Sequence, residues 1–137
     1  MTGAPFLVDT NVILRFLLND HAVHSEAARR LVERAEKREI TLEIPFITVT
    51  EVVFTLRSFY KKKRNMIADE IIKILNTPGM NFRGPAWVLD ALEEFGKRKV
   101  SFGDACIAAE ARVFEIPVMS FDKDLDGFDG IVKFEPQ

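Results

Sequence analysis

The sequence predicts an α/β fold of three layers: a mostly parallel central sheet with helices on both faces. Three observations carry this. Short apolar, β-compatible runs alternate along the chain with longer stretches of helical periodicity. The stretches between runs hold one or two helices each, the long crossovers that parallel strands need. The length, 137 residues, with 47% apolar and 29% charged side chains, is that of one soluble domain with a single core and argues against disorder. We therefore expect one domain over 1–137.

The elements follow in order. Segment 6–8, Phe6-Leu7-Val8, is a strand bounded by Pro5 and Asp9. Segment 11–19 is a helix apolar almost all round. Segment 21–39 is amphipathic, with Ala27, Ala28, Leu31, Val32 and Ala35 on one face. A strand at 41–44 ends at Pro45. Helices are expected at 48–61 and 65–76, the second stopped by Thr77-Pro78-Gly79. A weak strand at 80–82 precedes a helix at 85–97, with Pro85 suited to the first turn. An alanine-rich helix at 103–115 and strands at 117–121 and 131–134 complete the chain.

Composition excludes several classes. No apolar run approaches the roughly 20 residues that span a bilayer. The start, MTGAPFLVD, lacks the basic flank and apolar core of a signal peptide. The single cysteine, Cys106, has no internal partner and reads as a small core residue, so a reducing, cytoplasmic location is expected. The net charge of −2 does not by itself point to nucleic acid.

Four acids stand out by position. In parallel α/β sheets ligands bind outside the carboxyl ends of the strands. Asp9 closes the first strand, and Asp122 follows Val118-Met119-Ser120-Phe121 in the same way. Glu51 and Asp104 each come three residues after a hydroxyl residue, Thr48 and Ser101. That spacing also fits a capping box, an ordinary device for starting a helix. Helix starts and strand ends share one edge of such a sheet, so the four can converge there. Two carboxylates about 4 Å apart repel by roughly 4 kcal/mol at an effective dielectric near 20. A cluster therefore calls for a cation, and oxygen-only donors suit Mg²⁺ or Mn²⁺. Zinc is disfavoured: His21 and His24 read as a solvated helix start, and Cys106 stands alone.

Asp9-Thr10-Asn11 after a strand, Glu51, Asp104-Ala105 before an alanine-rich helix, and Ser120-Phe121-Asp122-Lys123-Asp124-Leu125 together resemble the PIN domain, and within it the VapC toxins of toxin–antitoxin pairs. The resemblance spans nearly the whole chain. It implies a metal-dependent endoribonuclease with Asp9, Glu51, Asp104 and Asp122 as catalytic acids and Asp9, Asp104 and Asp122 as Mg²⁺ ligands, Mn²⁺ substituting. Asn11, Ser120 and Asp124 would support the cluster. Serine stands at position 120 where threonine is common, and Leu125 where phenylalanine is frequent. The implied cut leaves a 5′-phosphate and a 3′-hydroxyl. An RNA substrate, a cognate antitoxin and a homodimer are the implied partners, with no membrane.

Basic residues offer a phosphate-gripping rim: Arg15 near Asp9, and the run Lys61, Lys62, Lys63 and Arg64, with Arg57 and Lys97-Arg98-Lys99 nearby. Solvated helix ends explain such runs equally well. The dimer expectation rests on the helix from Thr48, whose Val52, Phe54, Phe59 and Tyr60 fill more than one stripe. Two other readings stand beside the nuclease. One is a PIN-like module that binds RNA or protein without cutting. The other is a phosphotransfer hydrolase using Asp9 as nucleophile, which Asn11 disfavours because such enzymes carry a second aspartate there.

Overall fold

The structure is a computed structural model, describing residues 4–137. In chain order it contains β1 (Ala4–Leu7), α1 (Thr10–Leu18), α2 (Ala22–Glu36), β2 (Ile40–Pro45), α3 (Phe46–Ser58), α4 (Arg64–Leu75), β3 (Met80–Arg83), α5 (Val88–Lys97), α6 (Phe102–Phe114), β4 (Val118–Met119), a 3-10 turn (Lys123–Gly127) and β5 (Lys133–Phe134). The α/β order expected from the alternation is present, and every strand pair is parallel.

The sheet is divided. β1, β2 and β3 pair in that order, with Phe6 opposite Leu42 and Leu42 opposite Met80, while β4 pairs only with β5. Even-numbered positions of β2, Ile40, Leu42 and Ile44, point into the core, and helical side chains Val52, Leu56, Ile67, Leu92 and Val88 bury against the same cluster. Burial of such aliphatics supplies the main stabilisation, about 1.5–3 kcal/mol for each fully buried side chain. β1 is paired along one edge only, and Phe6 and Leu7 are exposed, as are Met119 of β4 and Phe121 beyond it.

Helix boundaries shift where caps differ from those expected. α3 begins at Phe46, two residues before Thr48, because Pro45 supplies the extended N-cap residue. Thr48 is buried inside the first turn and donates its hydroxyl to the Val8 carbonyl at 3.0 Å. The Thr48-x-x-Glu51 capping box is therefore not formed. Ser101 does cap α6, accepting from the Asp104 amide at 3.0 Å. His21 caps α2 through Nδ1, which accepts from the His24 amide at 3.0 Å, and the two rings stack at 4.1 Å. That accounts for the histidine pair without a metal.

In the turn between α4 and β3, Gly79 holds a φ of +81° and packs against the Ala35 carbonyl near the end of α2. A Cβ there would lie 2.0 Å from that oxygen, so only glycine lets the end of α2 approach so closely. The Gly79 carbonyl in turn accepts from Leu42 at 2.8 Å and starts the β2–β3 ladder. Among the described residues no helix is long and apolar enough to cross a membrane.

Candidate active site

Two acidic groups form at the carboxyl ends of the strands. The first is built on α6 and the turn after β4. Oxygens of Asp104, Asp122 and Asp124 all lie within 4.8 Å of one another. Local sequence explains the convergence. Ser101 starts α6 so that Asp104 falls in its first turn, where the helix dipole favours an anion. The Ser120 hydroxyl accepts from the Asp122 amide at 2.9 Å, and Asp122 Oδ1 accepts from the Asp124 amide at 2.9 Å. Asp122 thus caps the 3-10 turn and folds Asp124 back beside itself. Lys133 of β5 secures the turn by donating to the Asp122 carbonyl at 3.0 Å and pairing with Asp126 at 2.6 Å.

The charges are mutually unfavourable. Burial, then the charge of Asp122 and a hydrogen bond with it, hold the Asp104 carboxyl above its ordinary range, with Asp124 adding to the same effect and Ser101 opposing it. A divalent cation would relieve this repulsion, and the three donors are all carboxylate oxygens, the chemistry Mg²⁺ and Mn²⁺ take.

The second group is Asp9 with Glu51. Asp9 is the N-cap of α1, Oδ1 accepting from the Val12 amide at 3.3 Å. Thr10 donates its hydroxyl to Glu51 Oε2 at 2.5 Å, tying the start of α1 to α3. The bond from Thr48 to Val8 fastens the same junction from beneath.

Asp104 and Asp122, expected as ligands, lie together here with Asp124, expected as support. Asp122 and Asp124 are neighbours because they share one turn. Asn11 is exposed on α1 and lines a cleft with Arg15 and His24. Thr10 and Lys133 were not singled out from the sequence. Thr10 lies inside the Asp9-Thr10-Asn11 motif, but Lys133, on the strand after the turn it secures, carries no local signal.

A family model described as the PIN domain matches residues 6–131. The chain belongs to the PIN domain family. It is also similar to a VapC ribonuclease of Aquifex aeolicus (strain VF5), 27% identical over 118 residues, which cover 85% of this chain and 87% of that relative.

The basic residues of this PIN domain divide. Lys61, Lys62 and Lys63 are exposed between α3 and α4. Arg15 pairs with Asp20 at 3.0 Å. Arg64 is engaged inward. It is partly buried, its Nη1 donates to the carbonyls of Phe95, Arg98 and Val100, and its guanidinium lies 4.7 Å over the Phe95 ring. Those contacts make it a brace between α4 and the α5–α6 loop. Cys106 is half-buried and its thiol is pushed up to about 12, chiefly by burial, which leaves it unreactive at neutral pH.

Proposed function

We propose that this PIN domain is a metal-dependent endoribonuclease, the toxin of a toxin–antitoxin pair, with RNA as substrate, Mg²⁺ as cofactor and Mn²⁺ as its substitute. The observation that carries the reading is the convergence of Asp104, Asp122 and Asp124 in a chain matched by the PIN model over 6–131. The similar relative, named a ribonuclease, supports the same reaction class.

Asp104, Asp122 and Asp124 would hold the ion. When bound, a divalent ion supplies Lewis acidity, lowers the pKa of water and offsets phosphate charge. Ser120 and Lys133 fix the turn that presents two of the three acids. Glu51 accepts from Thr10 through Oε2, and in this reading its other carboxylate oxygen accepts a proton from the attacking water. Asp9, next to Thr10, completes the acidic edge. The exposed lysines 61–63 meet the RNA backbone.

The competing reading is a PIN-like module that binds RNA or protein without cutting. Incubation of the parent and Asp9→Asn proteins with RNA in Mg²⁺, in Mn²⁺ and in EDTA decides between them. The nuclease reading expects metal-dependent cleavage by the parent, reversed by EDTA, with a large loss in the variant. A parent that binds RNA and cuts none in either metal refutes it.

Self-association is part of the proposal. Val52 is 1% exposed and belongs to the core, so it drops out of the expected interface. Phe59, edge-to-face with Tyr60, and Met66 at the start of α4 remain exposed apolar side chains. Sedimentation at micromolar concentration should give a dimer that Phe59→Ser weakens; a monomeric parent overturns this part.

A further inference from the structure

A pocket of about 540 Å³ opens between α3 and the α5–α6 pair. It lies between the two helices that carry Glu51 and Asp104: Thr50 on one wall precedes Glu51, and Gly103 on the other precedes Asp104. Thr50 and Phe54 also line the smaller hollow beside Glu51, so the two share a wall.

Its walls are aromatic. Phe46, Phe54 and Phe102 contribute, and Phe54 is 70% exposed, a large apolar ring left uncovered on a helix whose other apolar residues are largely packed. Two arginines, Arg57 and Arg64, line the same pocket. Among the described residues neither is within salt-bridge distance of a carboxylate. Arg64 is taken up by the carbonyls of Phe95, Arg98 and Val100, which leaves Arg57 as the cation for an occupant of the pocket. Arg57 is held in place by donating to the Lys62 carbonyl at 3.1 Å, its one side-chain hydrogen bond among the described residues. Lysines 61–63 extend the positive surface outward.

An uncompensated positive charge beside aromatic walls matches a nucleotide, with a flat base for the rings and a phosphate for the guanidinium. A base paired in a duplex cannot leave its stack to enter, so the occupant is unpaired. We propose that this pocket takes one unpaired nucleotide of the RNA beside the cleaved bond, the base against Phe54 and Phe46 and the phosphate on Arg57. The proposal rests on the nuclease reading above and adds a subsite, with Phe54, Phe46 and Arg57 holding one base and its phosphate.

Fluorescence anisotropy of a labelled ten-nucleotide single strand, in metal-free buffer at several salt concentrations, tests it. Phe54→Ala should weaken binding about tenfold, the loss of one stacked base, and Phe54→Tyr should restore it. Arg57→Gln should lower the salt slope by about 0.7, the loss of one phosphate contact on a single strand. Duplex RNA should bind weakly and be indifferent to Phe54→Ala. Thermal unfolding confirms that the variants fold, as expected for an exposed ring. Parent-like affinity and slope in Phe54→Ala and Arg57→Gln overturn the proposal. So does an RNA affinity that is unchanged while binding of an acidic protein partner is lost, which would assign the pocket to protein. If the parent binds through the pocket yet never cleaves RNA with Mg²⁺ or Mn²⁺, the nuclease reading fails and the subsite stands. If the parent cleaves and both variants cleave and bind equally well, the subsite fails and the nuclease reading stands.

Discussion

Asp104→Asn should lose at least about 100-fold in RNA cleavage, the scale on which metal sites respond to changed ligands and their supports. The metal-free variant should nevertheless be as stable as the parent or more so. Asparagine keeps the size and one acceptor oxygen of aspartate, so packing against α6 survives. What changes is charge. The carboxyl of Asp104 sits above its ordinary value because burial and the neighbouring Asp122 and Asp124 oppose ionisation. A carboxyl raised in the folded state favours folding while neutral, below its unfolded value near 3.8, and that contribution is lost as pH rises through the folded value. At pH 7 the parent carries this cost and the variant does not. The advantage of the variant should therefore appear at neutral pH and vanish below about 3.8. Thermal unfolding across pH, with and without Mn²⁺, measures it. The parent should gain stability from Mn²⁺ and the variant little. A variant that still cleaves, and whose melting temperature rises with Mn²⁺ as the parent's does, would show Asp104 to be only a helix-start residue.

Arg64→Met should destabilise the fold by about 2–4 kcal/mol, read from urea denaturation. One guanidinium nitrogen serves the carbonyls of Phe95, Arg98 and Val100, at the end of α5 and in the loop leading to Ser101. Methionine fills part of the volume but donates nothing, leaving partly buried carbonyls without a partner and removing the cation over Phe95. Val100 immediately precedes the Ser101 cap, so the loss reaches the residue that sets Asp104 at the start of α6. Stabilisation by Mn²⁺ should fall as well. Arg64→Lys should recover only part, because an ammonium lacks the planar group that lies over the Phe95 ring. If Arg64→Met unfolds like the parent and loses only RNA affinity, Arg64 belongs to the basic rim after all.

The sequence by itself determined the order of elements, because apolar periodicity and caps are local. Pro45, Thr77-Pro78-Gly79 and Ser101 punctuate the chain where the elements begin and end. It also determined that Asp104 and Asp122 lie where acids matter, since an acid beside a short apolar run is anomalous for packing alone. Position relative to a strand end or helix start can be read without coordinates. Tertiary structure decided what local pattern cannot carry. Thr48 satisfies the Val8 carbonyl rather than capping a helix, because β1 passes beneath α3. Thr10, not a cap residue, engages Glu51 across 41 positions of sequence. Asp124 comes beside Asp104 and Asp122 because Asp122 caps the 3-10 turn and accepts from the Asp124 amide. Arg64 turns inward because α4 packs on α5 and leaves carbonyls facing it, while lysines 61–63, with the same charge and adjacent in sequence, stay in water. Charge alone does not tell a brace from a rim; the unsatisfied backbone groups nearby do.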